Sequence, residues 1–383
     1  MNDSLSHLPV AVAVSGGADS LHALMRLRES GVPAFALHGL FVPPDLLEDA
    51  EREDAEASRR RLASLCEELG IPLHVVDLAD DFLRAVIRPF VQSYADGLTP
   101  NPCALCNARI KFGLLLDRAR ALGAGRLATG HYARLLPEDE HGPVLLQGAD
   151  QSKDQSYFLS LVPRENLKAA LFPLGEAHKR DVLETLAGQN IVPPQPGESQ
   201  EVCFIPGNDY RDFLFRAAGA LGIALPGPGP TRLADGRRLG EHKGLWRYTE
   251  GQRRGLGLGW TEPLHVIAKR GEDNVLLVGP RREMLTGGCD CDDVNILLPP
   301  EFWPETVLVK TRYRERPKAA RASLHAEGPG GPVLRIRFAE PDTAVAPGQI
   351  AAIYVPFSEQ ENAPLRLAAG GVIRTAHSYH SGL

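Results

Sequence analysis

The sequence has few of the features that would place it in a membrane or outside the cell. No apolar run approaches the about 20 residues that span a bilayer, and no basic segment followed by an apolar one opens the chain, so we expect a cytoplasmic protein without a membrane partner. Six cysteines in 383 residues are too few for a disulfide scaffold and are expected to be inert, metal-bound or catalytic. The net charge of −6 gives no overall signal for nucleic acid, so RNA would have to meet local basic patches.

The N-terminal stretch combines a strand, a glycine-rich turn and a helix. Residues 10–14 form an apolar run typical of a strand buried on both faces, and Leu21 and Leu24 begin a helical spacing. Between them, Gly16 and Gly17 let the backbone approach a ligand, while the helix start offers unpaired N–H groups to an anion. The turn therefore predicts a phosphate site. It lacks the lysine of a Walker loop, which disfavours a nucleoside triphosphatase of that type.

The turn reads Ser-Gly-Gly-Ala-Asp-Ser and resembles the loop of the ATP pyrophosphatases, which grip the pyrophosphate of ATP and transfer AMP to an acceptor. In this interpretation Ser15 and Ser20 donate hydroxyls to phosphate. Asp19 helps to hold Mg²⁺, because a hard cation prefers oxygen ligands. A glycine-rich turn capped by Ser or Asp is the simpler alternative.

Strand-like and helical segments alternate after this turn. Residues 34–40 and 72–78 predict two further strands, and residues 45–69 predict a charged helix ended by Gly70. Successive βαβ units predict an α/β fold with a doubly wound parallel sheet, whose ligands lie at the carboxyl ends of the strands.

Three cysteines are candidates for chemistry, two before a predicted helix and one in an apolar segment. Cys103 and Cys106 precede a helix predicted over about residues 110–122, and the helix N-terminus predicts a lowered thiol pKa for Cys106. A zinc knuckle is the alternative, with residues 289–291 as a weakly matching second half. Cys203 lies in an otherwise apolar segment, and this pattern alone favours an inert buried cysteine.

Two further polar segments follow the cysteine helix. His131 ends a predicted strand at 127–132; a lone histidine is more often structural, but this position directs it towards the same crevice. The polar loop at 151–156 would usually be only solvated, although Lys153 could meet phosphate.

The C-terminal half has short strand-like pieces separated by glycine and proline. The glycine-rich segment 251–259 lacks the strand and helix of a dinucleotide site, which favours a small β-rich module with a basic tip. The alternation in the last hundred or so residues predicts an antiparallel barrel. Positive residues concentrate there and Tyr313 could stack on a base, although a solvated sheet face explains these charges equally well.

Six segments in order resemble the bacterial tRNA-specific 2-thiouridylase family over about residues 10–355. They are the phosphate loop, Asn-Pro-Cys-Ala-Leu-Cys-Asn, Ala-Thr-Gly-His-Tyr, Lys-Asp-Gln-Ser-Tyr-Phe-Leu, Ser-Gln-Glu-Val-Cys-Phe-Ile and Gly-Gln-Arg-Arg-Gly-Leu-Gly. The resemblance implies an ATP pyrophosphatase catalytic domain at 1–207, a small central β-rich domain at 208–283 and a C-terminal tRNA-binding β-barrel at 284–383.

The resemblance also implies a reaction, that of a tRNA-uridine 2-sulfurtransferase. ATP, with Mg²⁺, adenylates O2 of the wobble uridine of tRNA, and persulfide sulfur replaces that oxygen with release of AMP and pyrophosphate. Cys203 would carry the persulfide, Cys106 would be the other catalytic cysteine, and a transient disulfide between them would close the cycle. The sulfur would come from a donor protein such as a cysteine desulfurase or a sulfur relay protein.

The same matching implies the contacts of both substrates. For ATP they are Ala13, Val14, Ser15, Gly16, Gly17, Ala18, Asp19, Ser20, Gly39 and Gly130. For tRNA they are Asn101, Pro102, Cys103, His131, Lys153, Asp154, Gln155, Arg312, Tyr313 and Gln349. Some relatives have an acidic residue where Cys103 stands, and residues 38–45 lack the family's Met-Lys-Asn-Trp pattern.

Two other functions fit parts of the pattern. In another adenylating ligase or amidotransferase of the ATP pyrophosphatase type, the cysteines would be incidental. A non-catalytic RNA-binding relative would keep ATP only as a structural ligand.

Overall fold

The computed structural model describes residues 7–195, 202–205, 209–326, 331–343, 345–358, 360 and 363–379. They divide into two compact units. Unit one consists of the described residues up to Val86, with Cys103–Asp209 and Pro356–Leu367. Unit two consists of Ile87–Pro102, Tyr210–Val355 and the described residues from Ala368 on. The division into three domains at 1–207, 208–283 and 284–383 stays a prediction.

Unit one is built around a parallel sheet. Its strands are β1 (Val10–Ala13), β2 (Ala34–Leu40), β3 (Leu73–Asp77), β4 (Arg126–Ala128) and β7 (Ala170–Leu171), with a hairpin of β5 (Ala133–Asp139) and β6 (Gly142–Gln147). Its helices are α1 (Ala18–Glu29), α2 (Asp49–Glu68), α3 (Ala79–Phe82), α5 (Pro102–Leu105, whose Pro102 belongs to unit two), a π-helical stretch (Cys106–Leu115), α6 (Leu116–Ala121), α7 (Arg164–Leu167) and α8 (Lys179–Gly188).

The strands follow the order β3-β2-β1-β4-β7, and every pair is parallel. Val10 and Val12 of β1 belong to a core that includes residues of α1, α2 and α8, while Ala11, which points to the opposite face, is also fully buried. The sheet is thus covered on both sides. The predicted α/β fold with a doubly wound parallel sheet is confirmed.

The helix predicted at 45–69 begins later, at Asp49. Glu48 and Glu51 form a capping box, in which the Glu48 N–H donates to Glu51 Oε2 at 2.7 Å. Residues 44–46 form a separate 3₁₀ turn. The cap, rather than the charged character of the segment, fixes the helix start.

Unit two contains a small β-rich module and a barrel. The module has α4 (Arg88–Ala95), α9 (Tyr210–Leu221) and the strands β8 (Gly229–Arg232), β9 (Arg238–His242), β10 (His265–Arg270) and β11 (Val275–Gly279) in the order β10-β11-β8-β9. The glycine-rich segment 251–259 of this module has no regular secondary structure.

The barrel strands are β12 (Leu285–Ile296), β13 (Val307–Lys310), β14 (Lys318–His325), β15 (Val333–Thr343), β16 (Ile350–Pro356, whose Pro356 belongs to unit one) and β17 (Leu365–Ser378, whose Leu365–Leu367 belong to unit one). They run in the order β12-β15-β14-β13-β16-β17, and the pairing of β12 with β17 closes the ring. The predicted antiparallel barrel is confirmed. None of the described helices has the length and apolarity needed to cross a membrane.

Two leucines of α8 test the core of unit one. Leu186 is 1% exposed within the core cluster, whereas Leu183, one turn earlier, is 50% exposed. Leu186→Ala should lower the free energy of unfolding by about 2–5 kcal/mol through lost burial and a cavity, and the control Leu183→Ala by about 1 kcal/mol or less. Urea unfolding measures both. Equal effects would contradict the described orientation of α8.

Candidate active site

The two serines of the phosphate loop hold the turn together. Ser15 Oγ accepts a hydrogen bond from the Gly17 N–H at 3.3 Å. Ser20 Oγ donates to the Gly17 carbonyl at 2.9 Å and accepts from the Ser15 N–H at 3.2 Å. Gly16 has a φ of +91°, which favours glycine at this bend. The loop is thus a fixed turn at the carboxyl end of β1, leading directly into α1.

The end of β4 lies against this loop at Gly130. A Cβ on Gly130 would lie 2.7 Å from the carbonyl carbon of Asp19 and 2.8 Å from the Ser20 nitrogen. Backbone atoms cannot yield as the end of a flexible side chain can. Only glycine therefore fits here without displacing the loop.

Two residues that the sequence reasoning missed bind the loop carboxylate. Asp19 Oδ1 accepts hydrogen bonds from the Tyr132 hydroxyl and from Lys179 Nζ, both at 2.7 Å. Lys179 is the first residue of α8 and lies 160 positions along the chain, so no local pattern reveals it. Tyr132 directly follows Gly130 and His131, and this position was the only feature of the sequence that could have pointed to it. The lysine adds a positive charge beside the phosphate loop.

The cysteine helix begins earlier than predicted. It starts at Pro102 and leads through the π-helical stretch, which is kinked at Gly113, to α6, so the predicted start at about residue 110 was wrong. Proline suits the first helical position, where its missing N–H costs nothing. Cys103 consequently occupies the first turn, and Cys106 lies beyond it.

The predicted lowering of the Cys106 pKa was also wrong. Burial raises the pKa of Cys103 and of Cys106 to about 12, and the charge of Cys203 adds to the effect at both. The Lys111 ammonium acts in the opposite direction but does not overcome desolvation. Both residues therefore rest as neutral thiols near neutral pH.

Lys111 is the positive group that faces these thiols, and the sequence reasoning missed it. In the stretch Cys106–Leu115 the backbone is π-helical, with hydrogen bonds between residues five apart. Such winding brings Cys106 and Lys111, five positions apart, to one face. The Lys111 charge also contributes to lowering the pKa of His131, which joins this helix electrostatically to the end of β4.

Cys203 is exposed, which overturns the buried cysteine favoured by the residue pattern alone. The neighbouring Phe204 packs edge-on against Phe82 at 5.3 Å, and Phe82 stacks on Phe41 at 5.4 Å. Phe41 in turn contacts Gly39 at the end of β2, where a Cβ would lie 2.5 Å from its ring. These rings hold the Cys203 turn near the strand end that follows Gly39. Residues 196–201 of the same segment lie outside the described residues.

Comparison with known proteins covers nearly the whole chain. Family models match residues 8–207 (tRNA methyl transferase HUP domain), 224–280 (tRNA methyl transferase PRC-barrel domain) and 288–360 (Aminomethyltransferase beta-barrel domain). The tRNA-specific 2-thiouridylase MnmA of Nitratidesulfovibrio vulgaris (Miyazaki F) is 51% identical over 96% of this chain and 99% of that protein.

The chain belongs to the tRNA-specific 2-thiouridylase family. Relatives of the same name from Oleidesulfovibrio alaskensis and Lawsonia intracellularis are 49% and 45% identical over 95% and 90% of this chain, and cover 98% and 95% of their own lengths. The resemblance in sequence motifs is thereby confirmed at the level of the family.

In this 2-thiouridylase chain, the polar residues after β4 are largely buried. Burial lowers the pKa of His131 well below its usual range, and its Nδ1 lies 2.7 Å from Thr129 Oγ1. The Asp154 carboxylate accepts hydrogen bonds from the Gln147 amide, the Gly148 N–H, and the N–H and hydroxyl of Ser156. Its placement shows a role in shaping the 151–156 loop.

The two neighbours of Asp154 are placed differently. Gln155 is bonded to the Tyr132 backbone in both directions: its N–H donates to the Tyr132 carbonyl, and its Oε1 accepts from the Tyr132 N–H. Lys153 is half-buried. The loop is therefore tied to the residue that also bonds Asp19.

The family-implied tRNA contacts of unit two are also engaged within the chain. Arg312 donates to the Glu250 carbonyl at 3.0 Å, and Asn101 Nδ2 donates to Gln349 Oε1 at 3.4 Å. Tyr313 is half-buried. Four of the barrel's positive residues have an acidic neighbour: Lys318 with Glu315, Arg321 with Glu305, and Arg335 and Arg337 with Asp290. The barrel surface is therefore less positive than its count of basic residues suggests.

The described residues do not support the alternative of a zinc site formed by the cysteine pairs. Cys289 and Cys291 are fully buried in the barrel core. Within the described residues, no group of three or more His, Cys, Asp and Glu side chains is arranged to hold a metal ion.

Thiol reactivity distinguishes these cysteines. In native protein at pH 8, iodoacetamide should label exposed Cys203 first, and Cys106 slowly because it is buried and protonated. Below its pKa of about 12, the thiolate fraction of Cys106 rises about ten-fold per pH unit, so its labelling should accelerate steeply with pH. Mass spectrometry of the labelled peptides reads both sites, with Cys203→Ser as the control. Rapid labelling of Cys106 at pH 8 would contradict its described burial.

Proposed function

We propose that this chain is an ATP-dependent tRNA 2-thiouridylase, which replaces O2 of the wobble uridine with sulfur. The observation that carries the proposal is that the helix of Cys106 packs against His131, with the Phe112 and His131 ring centroids 6.2 Å apart, next to Gly130 and the phosphate loop. The charge of Cys203, almost one hundred positions away along the chain, also contributes to the raised pKa of Cys106. Lys111 links the thiols to His131, and Gly130 abuts the loop. These contacts support an anion site and two thiols within unit one. The names of the relatives agree with this chemistry.

The ATP site would be formed by the loop and the neighbouring strand ends. Its residues are Ala13, Val14, Ser15, Gly16, Gly17, Ala18, Asp19, Ser20, Gly39 and Gly130. The close approach of Gly130 to the loop and the positive φ of Gly16 fit a backbone shaped around phosphate. The Asp19 carboxylate fits Mg²⁺, which would neutralise charge on the pyrophosphate leaving group. Lys179 supplies a second positive charge at the same carboxylate.

Activation must precede sulfur transfer, because the uridine oxygen is a poor leaving group. Attack of O2 on the α-phosphate of ATP releases pyrophosphate and leaves AMP on that oxygen. The loop residues hold the phosphates in line for this step. Moving the wobble base out of the anticodon stack costs a few kcal/mol, least in a single-stranded loop.

Cys203 would receive the sulfur from a donor protein such as a cysteine desulfurase or a sulfur relay protein. The exposure of its thiol supports this role. The terminal sulfur of its persulfide attacks C2 of the activated uridine, and AMP leaves with the original oxygen. The Cys106 thiolate then attacks the Cys203 sulfur, which breaks its bond to the transferred sulfur. The products are 2-thiouridine and a Cys106–Cys203 disulfide, which two equivalents of an external thiol reduce with formation of their own disulfide.

Lys111 would assist that last step by favouring the thiolate of Cys106. Cys106 must lose its proton before it can attack, and its raised pKa opposes this. The Lys111 ammonium is the group in this site that favours the thiolate. Burial until that moment protects Cys106 from side reactions.

The tRNA contacts follow the matching to the family. We assign Asn101, Pro102 and Cys103 to the target base, and His131, Lys153, Asp154, Gln155, Arg312, Tyr313 and Gln349 to the remainder of the tRNA contact. The hydrogen bonds of Asp154 and Gln155 within the chain support a contribution through loop shape.

Cysteine variants test the order of sulfur transfer. Cys203→Ser should neither accept persulfide sulfur nor form 2-thiouridine. Cys106→Ser should still accept sulfur on Cys203 but should lose most 2-thiouridine formation, because the transferred sulfur is not released. Mass spectrometry of the protein and of tRNA nucleosides measures the two steps.

Cys66→Ser is the matched control, since Cys66 is a buried core residue of α2. Intact ATP-dependent turnover in Cys106→Ser, with no 2-thiouridine formed by the wild-type protein, would favour an adenylating ligase or amidotransferase in which the cysteines are incidental. Absence of pyrophosphate release from wild-type protein with tRNA would favour a non-catalytic RNA-binding protein.

Glycine variants test the ATP site. Gly130→Ala should weaken ATP binding about ten-fold or more, because the new methyl group displaces the Asp19–Ser20 backbone. Gly188→Ala is the control, because a Cβ there meets nothing within 4 Å. Isothermal titration with a non-hydrolysable ATP analogue measures the affinity. Unchanged affinity in Gly130→Ala would place the nucleotide elsewhere.

A further inference from the structure

A buried ion pair lies in the small β-rich module of unit two. Lys269 of β10 and Glu250 have side chains that are 0% and 4% exposed, with Nζ and Oε2 3.7 Å apart. Burial lowers the pKa of Lys269, and the Glu250 charge counteracts this. Desolvating two charges is costly, and apolar residues would often serve stability as well. The pair therefore calls for an explanation beyond stability of the module.

The polar contacts of this pair are made to one short segment. Lys269 Nζ donates to the Leu98 carbonyl at 3.0 Å and to Thr99 Oγ1 at 2.8 Å. Thr99 Oγ1 in turn donates to Glu250 Oε2 at 2.8 Å. The ion pair thus binds the backbone and the side chain of residues 98–99.

Residues 347–349 of the barrel also hold this segment in place. The Thr99 N–H donates to the Pro347 carbonyl at 2.8 Å. Gln349 Nε2 donates to the carbonyls of Thr99 and Pro100 at 3.1 and 3.0 Å. A Cβ on Gly348 would lie 2.9 Å from the Thr99 oxygen, so the two backbones are in close contact.

The held segment ends at the residues assigned to the target base. Asn101 follows directly, donates to Gln349, and is followed by Pro102 and Cys103 in the helix that also carries Cys106. Arg312, an assigned tRNA contact, donates to the carbonyl of Glu250 itself. The ion pair therefore connects Arg312 with the segment that leads to the residues assigned to the target base.

We infer that Lys269 and Glu250 are positioning residues for the thiolation reaction, which fix residues 98–101 so that Asn101 is held in place for the target uridine. This inference rests on the proposed function. The pair touches no substrate. Its charges make the carbonyl of Leu98 and the hydroxyl of Thr99 rigid through hydrogen bonds that an apolar pair cannot supply.

A neutral double variant separates positioning from stability. Lys269→Met with Glu250→Gln removes both charges, so no unpaired charge remains buried and the fold should persist. The donors to Leu98 and Thr99 are lost. We expect single-turnover formation of 2-thiouridine, per folded molecule, to fall about ten-fold or more. ATP affinity, sulfur loading of Cys203 and tRNA affinity should stay close to wild type.

The neighbouring surface pair supplies the matched control. Arg270 and Asp273 form an exposed ion pair at 2.6 Å in the same module, and Arg270→Met with Asp273→Asn should leave the single-turnover rate unchanged. Thr99→Val is an independent variant, which removes the bridging hydroxyl and keeps both charges. It should also slow the single turnover while ATP affinity stays unchanged.

The outcomes separate the two levels of the proposal. Wild-type rates in both the neutral double variant and Thr99→Val, or losses explained entirely by the unfolded fraction, would overturn the positioning role and leave the proposed function standing. If the double variant does not fold, Thr99→Val decides alone. Wild-type protein that forms no 2-thiouridine with ATP, tRNA and a sulfur source would overturn both.

Discussion

The pairing of β1 with a parallel strand on each side is the constraint on which the site of unit one depends. Val10 lies opposite Ala34 of β2 and opposite Arg126 of β4, so the three strands end at one edge. The phosphate loop, the Gly39 region and Gly130 emerge there. Because Gly130 lies against the Asp19 backbone, the loop and the end of β4 form a single rigid surface. The cysteine helix packs against that surface, with the Phe112 and His131 ring centroids 6.2 Å apart.

Burial and reactivity oppose each other at the two thiols inside this site. Desolvation keeps Cys103 and Cys106 protonated, while Lys111 partly offsets the penalty on their thiolates. Exposed Cys203 can meet another protein, whereas buried Cys106 cannot. In the proposed reaction, this asymmetry would let Cys203 collect sulfur and let Cys106 act only once the substrate is in place.

Unit two combines costly buried charge with close backbone packing around one segment. Lys269 and Glu250 are desolvated, yet both bond Thr99. Gly348 brings the barrel backbone against the same residue. Short-range polar contacts define position more sharply than apolar contacts, which tolerate sliding. Such contacts suit a segment that leads directly into the helix of Cys103.

Local patterns in the sequence determined much of the fold: β2 spans the residues predicted, and the strand, turn and helix around Gly16 follow from buried-strand patterning and glycine freedom. The motifs also determined the family. Only the tertiary structure decided the helix start at Pro102, the raised pKa of Cys106, and the partners Lys179 and Lys269. Desolvation and contacts between residues far apart in sequence exist only once the chain has folded, so they cannot be predicted from periodicity or spacing in the sequence.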